Sequence, residues 1–181
     1  MGICLDKIKE GCCKDLKSLN PIDLDSYKKD KRMSSVDNVL ECSDKFIFIE
    51  EKSFILDFFR LSAKRMKIRF KPEDNIISDE FLDNISHLEK EEKKELFYKS
   101  IADKTLSLSE KIKDTTMILC KDDAFCDEKI KKTSTIYLYC KSGLEIDKLF
   151  SITFNSKKQR EKIIECTDLK KYLIQQGCGN K

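Results

Sequence analysis

Residues 45–53 read KFIFIEEKS, and this short stretch organises the interpretation of the whole chain. Its alternating Phe and Ile residues predict a buried β-strand. The strand then ends in Glu50, Glu51 and Lys52. A buried strand that finishes in three charges either runs out into solvent or carries a functional site at its end.

A second β-rich run, VDNVLEC at 36–42, precedes this strand and is separated from it by Ser43-Asp44. Two such runs joined by a short polar connection predict a β-hairpin. Pairing outwards from the turn places Asp37 opposite Glu50, with Cβ atoms about 5 Å apart. Because side chains alternate along a strand, Lys52 projects from the same face as Glu50.

Two adjacent carboxylates beside an ammonium need a compensating group, because like charges opposite one another repel. A divalent cation such as Mg²⁺ would compensate them, since it prefers oxygen ligands and is commonly held by one or two carboxylates. Such an ion can activate water and polarise a phosphodiester. A neighbouring lysine can stabilise the charge that develops on phosphorus.

Asp37, twelve further residues and then Glu50-x-Lys52 at the end of an apolar strand resemble the pattern of the PD-(D/E)xK nuclease superfamily. The resemblance implies an α/β fold with a mixed sheet and a restriction-endonuclease-like α-β-β-β-α-β core. It also implies Mg²⁺ or Mn²⁺ as cofactor and hydrolysis of phosphodiester bonds in nucleic acid, with DNA favoured over RNA.

The resemblance also assigns roles to individual residues. Asp37 and Glu50 would be the metal carboxylates, the Glu51 carbonyl would be a further metal ligand, and Lys52 would be catalytic. Glu10, in a predicted first helix, would be an additional catalytic carboxylate. The basic C-terminal end of the second core helix and the residues after it would contact the nucleic-acid backbone through Lys64, Arg65, Lys67 and Arg69.

The tripeptide itself is not specific in so charged a sequence. It also begins at Asp15, Glu91, Glu92, Asp127 and Asp168. The copy at Glu50 differs because it ends a β-patterned strand, has Asp37 in cross-strand register and precedes an apolar helix. The sequence departs from the family pattern in having Val36 where many members have proline, and no first core strand is recognisable before it.

The remaining pattern predicts a single domain over residues 1–181, with a nuclease-like core at 3–70 and 114–154 and a helical insertion at 77–113. Helices are expected at 3–18 and 53–66, the latter with Ser53 as N-cap. Strands are expected at 115–121, 134–141 and 149–154. Residues 156–165 and 167–176 indicate helices or a strand and a helix, with Thr167 as an N-cap.

Composition limits the class of protein. Hydrophobic residues make up 40% of the chain and charged residues 38%, with a net charge of +3, which predicts a folded, soluble protein. No apolar run approaches the roughly 20 residues that span a bilayer, and the N-terminus lacks the pattern of a signal peptide. Nine irregularly spaced Cys residues therefore predict free thiols in a reducing cytoplasm, with a zinc site as a minor alternative.

Two other functions remain open at this point. The first is a non-catalytic α/β interaction module in which residues 50–52 are the solvated end of a strand. The second is a nucleic-acid-binding domain that has lost catalysis. A nuclease of this size often needs a homodimer or a partner subunit to cut both strands of a duplex, by analogy with other enzymes of the fold. Cysteine–histidine chemistry would have to use His87, the single histidine.

Overall fold

The computed structural model describes residues 3–4, 8, 13–24, 34–71, 76–105, 108–120, 127–141 and 163–178. Its centre is a four-stranded mixed sheet with strand order β2-β3-β5-β6. These strands are β2 (Asn38–Glu41), β3 (Phe46–Glu51), β5 (Ser134–Tyr139) and β6 (Ile163–Glu165). The expectation of a mixed α/β sheet is therefore confirmed.

The hairpin forms as predicted. β2 and β3 are antiparallel, with Leu40 opposite Ile47 and Asn38 opposite Ile49. The backbone N–H of Cys42 donates to the carbonyl of Lys45 across the turn, over 2.9 Å. One further step along this register places Asp37 beside Glu50, as the sequence predicted.

The other strand pairs are parallel, which requires long connections between strands. β3 pairs with β5, and β5 pairs with β6. On the side of β2 opposite β3, Ile22 forms an isolated antiparallel bridge with Val39.

The helix predicted after the hairpin is α2 (Phe54–Met66). Ser53 occupies its N-cap position, although its side chain makes no capping hydrogen bond. The helix is apolar on one face, where Phe54, Phe58 and Phe59 are almost fully buried and pack with residues of the sheet. Lys67 caps its C-terminus, with a left-handed φ of 57° that does not continue an α-helix.

Helices follow over most of the predicted insertion: α3 (Asp79–Ser86), α4 (Lys90–Thr105) and α5 (Leu108–Cys120). The strand predicted at 115–121 is wrong, because α5 continues through residue 120. Thr115, Ile118 and Leu119 are buried at positions i, i+3 and i+4, which is helical spacing. A short helix, α6 (Asp127–Lys131), then leads into β5, where a strand was predicted.

The predicted helix at 3–18 is also corrected. Ile3–Cys4 is a short strand, β1, which pairs antiparallel with β4 (Ile76–Ile77). In the remainder of residues 3–18, the part of the chain that the structure describes forms one short helix, α1 (Lys14–Lys17).

At the C-terminal end, β6 is followed by a 3₁₀ turn (Cys166–Asp168) and α7 (Leu169–Gln175). Asp168, and not Thr167, is the N-cap of α7. The strand predicted at 149–154 lies outside the described residues.

Side-chain alternation divides the core between the two faces of the sheet. Ile47 and Ile49 of β3 pack with Leu16 of α1 and with Leu169 and Leu173 of α7. The opposite face is covered by α2, α3, α4 and α5. Glu50 and Lys52 alternate with Ile49 and Glu51, so they belong to the face that α2 and α5 cover.

The cysteines do not behave as predicted. Cys13 forms a disulfide with Cys166, and Cys42 forms one with Cys178. Cys140 is also disulfide-bonded, whereas Cys4 and Cys120 are free. The expectation of free thiols throughout is therefore wrong, because folding brings cysteines that are far apart in the sequence within bonding distance.

Both located disulfides join the C-terminal segment to earlier parts of the fold. One connects the start of α1 to the turn before α7, and the other connects the end of β2 to the residues after α7. Disulfides are rare in reducing compartments, so this pairing does not support the expected cytoplasmic location, which stays a prediction. Among the described residues, no helix has the length and hydropathy needed to cross a membrane.

Candidate functional site at the end of the hairpin

The candidate site is built where β3 ends and β2 begins. Glu50 is the fifth residue of β3, and its side chain is only 1% exposed. Asp37 immediately precedes β2 and is 36% exposed. The backbone N–H of Asp37 donates to Oε2 of Glu50 over 3.2 Å, which fixes the two carboxyl groups side by side.

Lys52 lies against Glu50 on the same face of the sheet. Its Nζ is 2.5 Å from Oε1 of Glu50, and its side chain is 9% exposed. The backbone N–H of Lys52 donates to the carbonyl of Leu138 over 2.8 Å, which attaches this end of β3 to β5. Burying a carboxylate and an ammonium is costly unless they are paired and hydrogen-bonded, and these two are.

Asp37 is held by the backbone that follows Glu50. The N–H of Glu51 donates to Oδ2 of Asp37 over 2.8 Å. Although its side chain is partly exposed, removal of water by the surrounding protein and repulsion from Glu50 raise the pKa of Asp37 to about 6. Lys111, the Glu51 N–H and Lys52 act in the opposite direction and limit this rise in the pKa.

A second lysine, which the sequence analysis did not identify, completes the cluster. Nζ of Lys111 contacts Oε1 of Glu50 and is 3.8 Å from Oδ1 of Asp37. Lys111 belongs to the first turn of α5, whereas both carboxylates belong to the hairpin. No motif in the sequence marks Lys111 among the 36 Lys and Arg residues of the chain.

Two polar contacts attach α5 to the residues that lead into β2. Oγ1 of Thr115 accepts a hydrogen bond from the backbone N–H of Val36, over 3.0 Å. Oδ2 of Asp114 accepts one from the N–H of Ser34, over 2.9 Å. Lys111, Asp114 and Thr115 are spaced i, i+3 and i+4, so they lie on one face of the helix.

Tyr137 is a further neighbour that the sequence did not indicate. It lies opposite Glu50 in the parallel register of β3 and β5, and its side chain is buried. Burial, with a contribution from the Glu50 carboxylate, raises the pKa of Tyr137 to about 12. The phenol is therefore neutral at physiological pH and adds no negative charge to the site.

The structure brings Asp37, Glu50 and Lys52 together, with Glu51 next to them. The side chain of Glu51 accepts a hydrogen bond from Nδ2 of Asn38 over 3.1 Å, while its carbonyl group was the predicted ligand. Glu10 lies outside the described residues.

The predicted nucleic-acid-binding residues lie at the other end of α2. Lys64 and Arg65 belong to its last turn, and Lys67 and Arg69 follow it; all four are exposed. At 1.5 Å per residue, Lys64 is about 15 Å along the helix axis from the start of α2 beside the site. Arg65 makes an ion pair of 3.1 Å with Glu92 of α4.

The donor set of this cluster suits a hard cation. A single ammonium already contacts Glu50 and approaches Asp37, so one cation can interact with both carboxylates. Within the part of the chain that the structure describes, no group of three or more Cys, His, Asp or Glu side chains is placed to bind a metal. His87, the other residue considered for chemistry, is exposed at the end of α3.

Comparison with family models, curated proteins and solved structures gives no match to this chain.

Proposed function

We propose that this protein is a metal-dependent nuclease that hydrolyses phosphodiester bonds, with Asp37, Glu50 and Lys52 at its catalytic site. The observation that supports this most strongly is the convergence of these three side chains, with Glu50 buried. Burying a carboxylate beside a second carboxylate costs free energy, and a cation bound by both carboxylates would offset that cost.

Mg²⁺ or Mn²⁺ is the cofactor of this proposal, held by the carboxylates of Asp37 and Glu50 and by the carbonyl of Glu51. Two carboxylates suit an ion that completes its coordination with water and substrate phosphate. When bound, the metal would lower the pKa of a coordinated water and polarise the phosphodiester. Glu10 remains part of the proposal as a third carboxylate.

Lys52 would act on the substrate. Glu50 positions its ammonium, and the backbone hydrogen bond to Leu138 fixes the strand from which it projects. A positive charge held beside the scissile phosphate stabilises the negative charge that develops during hydrolysis. The ammonium can also orient the attacking water by donating a hydrogen bond to it.

The arrangement of the strands supports a restriction-endonuclease-like core for this proposal. An antiparallel hairpin carries the site, α2 follows it directly, and the next sheet strand in sequence pairs parallel to β3. In this proposal the first core strand would lie beside β2, on the side where Ile22 bridges Val39. The helices between α2 and β5 would then be the insertion, and they include α5.

Nucleic acid, with DNA favoured over RNA, is the proposed substrate and partner. Lys64, Arg65, Lys67 and Arg69 would contact its phosphates, because exposed basic side chains supply the sequence-independent part of such binding. Their distance from the site requires a substrate that extends along α2. A homodimer or a partner subunit would provide the second site needed to cut both strands of a duplex.

One observation favours a second function, a non-catalytic interaction module. Lys52 and Lys111 together match the charges of Asp37 and Glu50, so the cluster is balanced without a metal. In this second function, the balanced network has a purely structural role and holds α5 against the hairpin. Cleavage assays discriminate between the two functions because the second predicts no hydrolysis under any metal condition.

The experiment is a cleavage assay on labelled single- and double-stranded DNA and RNA with Mg²⁺, Mn²⁺ or EDTA. The wild-type protein should cut at least one substrate when metal is present, and Glu50→Gln should not. Glu41→Gln is the matched control, because Glu41 is an exposed residue at the end of β2 that pairs with Lys129. Folded wild-type protein that cuts none of these substrates would overturn the proposal.

A further inference from the structure

Lys111 places a positive charge between the two carboxylates to which the proposed function assigns a metal ion. Its ammonium contacts Glu50 and lies 3.8 Å from Oδ1 of Asp37. We propose that Lys111 is an internal cation that occupies the metal position of this site and must withdraw before a divalent ion binds. The inference rests on the proposed function and adds a means of regulating its site.

The placement of Lys111 is fixed by its helix. Thr115 and Asp114, on the same face of α5, accept hydrogen bonds from the backbone immediately before Asp37. One turn further along, Ile118 and Leu119 are buried against the hairpin strands. These contacts fix the rotation of α5 about its axis and direct Lys111 towards the carboxylates.

The same geometry makes Lys111 a competitor of a metal ion. A divalent ion that binds both Asp37 and Glu50 would lie within a few ångströms of the ammonium, where two positive charges repel strongly. The two cations therefore cannot share this position. In the absence of metal, Lys111 instead offsets the repulsion between the neighbouring carboxylates.

Lys111 is also able to withdraw. Its side chain is 22% exposed, compared with 9% for Lys52, so a path to solvent is open to it. A lysine carries its charge on a flexible four-carbon chain, which allows the ammonium to move while the helix stays in place. A contact of the substrate phosphate with the displaced ammonium would favour the metal-bound state, so substrate and metal would bind cooperatively.

Isothermal titration of the purified protein with MnCl₂ tests the inference. Lys111→Met keeps most of the aliphatic chain and removes the charge, and the Kd for Mn²⁺ should fall about tenfold or more because the competing charge is lost. Lys111→Arg keeps a positive charge and should bind Mn²⁺ much as the wild type does. Lys113→Met removes the same charge from an exposed position of α5 and should change the Kd by less than about threefold.

Thermal unfolding of each protein, with and without Mn²⁺, provides a second measurement. Without metal, the Lys111→Met protein should have a lower melting temperature than the wild type, because the two carboxylates lose a neighbouring positive charge. Mn²⁺ should raise the melting temperature of this variant by more than that of the wild type, because tighter binding to the folded state stabilises it more. Lys111→Gln, which retains a polar side chain, replaces the methionine variant if that variant does not fold.

The outcomes separate this inference from the proposed function. Tighter Mn²⁺ binding by Lys111→Met than by both wild type and Lys113→Met supports the inference, even if the wild type cuts no nucleic acid. Equal affinity in wild type and Lys111→Met overturns it, whereas metal-dependent cleavage by the wild type would leave the nuclease proposal standing. Binding of Mn²⁺ by none of the proteins also overturns it, and absence of cleavage by the same samples would count separately against the nuclease.

Discussion

Lys111 in α5 contacts the carboxylate of Glu50 in β3, although 61 positions separate the two residues in the sequence. The contact joins the helical stretch after α2 to the end of the hairpin. It means that the candidate site is not formed by the hairpin alone. The position of α5 decides how many positive charges surround Glu50.

The docking of α5 gives a first prediction. Thr115→Val should lower the free energy of unfolding by about 1–3 kcal/mol, because the buried N–H of Val36 loses its hydrogen-bond acceptor. Urea denaturation followed by circular dichroism measures this change. Thr116→Val, at the neighbouring and less buried position, is the matched control and should change stability by less than about 0.5 kcal/mol. Equal effects of the two substitutions would show that α5 is not attached through Thr115.

The raised pKa of Asp37 predicts a pH dependence of stability. The folded protein holds the Asp37 proton up to about pH 6, whereas an unperturbed Asp loses it near the value of 3.8. Folding therefore binds a proton between these values, and the contribution of Asp37 to stability decreases as the pH rises through this window. Because the side chain is partly exposed, we expect the decrease to be about 1 kcal/mol.

Asp37→Asn should remove that contribution. The difference in unfolding free energy between the variant and the wild type should then move in favour of the variant as the pH rises from 4 to 7. Urea denaturation at several pH values, in the presence of EDTA, measures this difference. Parallel stability profiles for the two proteins would contradict the assignment of a raised pKa to Asp37.

The disulfides predict a stability that depends on redox conditions. The double substitution Cys42→Ser with Cys178→Ser should cost about 2–5 kcal/mol, because the bond closes a long loop in the unfolded chain. A reducing agent should lower the melting temperature of the wild type by more than that of the double variant. Peptide mapping without reduction should recover residue 13 linked to residue 166 and residue 42 linked to residue 178. Nine reactive thiols in the denatured, unreduced protein would contradict the pairing.

The sequence was sufficient to predict the hairpin. Alternation of apolar residues sets the register of an antiparallel pair, because a shift by one residue would turn every side chain to the other face. Counting outwards from the turn at Ser43-Asp44 predicted the position of Asp37 beside Glu50, and the structure pairs Leu40 with Ile47 in the same register. α2 and β5 were also predicted, because the apolar residues of these segments are typical of a buried helix and of a strand.

The rest of the site depends on contacts that a local pattern does not contain. Residues 115–121 have the β-branched composition of a strand, and a short apolar run does not distinguish a strand from a buried helix. The helix forms because Thr115, Ile118 and Leu119 together face the hairpin. Lys111 and the disulfides could not be predicted, because both arise from residues that only tertiary folding brings together.

The rate of Mg²⁺-dependent phosphodiester cleavage by wild type, Glu50→Gln and Lys52→Met tests the central claim most directly. We predict measurable cleavage by the wild type that EDTA abolishes. The cleavage rate should fall at least about 100-fold in each variant, because Glu50 would hold the metal ion and Lys52 would stabilise the developing negative charge. Glu41→Gln should retain the wild-type rate. Cleavage that survives Glu50→Gln and Lys52→Met, or a folded wild type that cleaves nothing, would contradict the account.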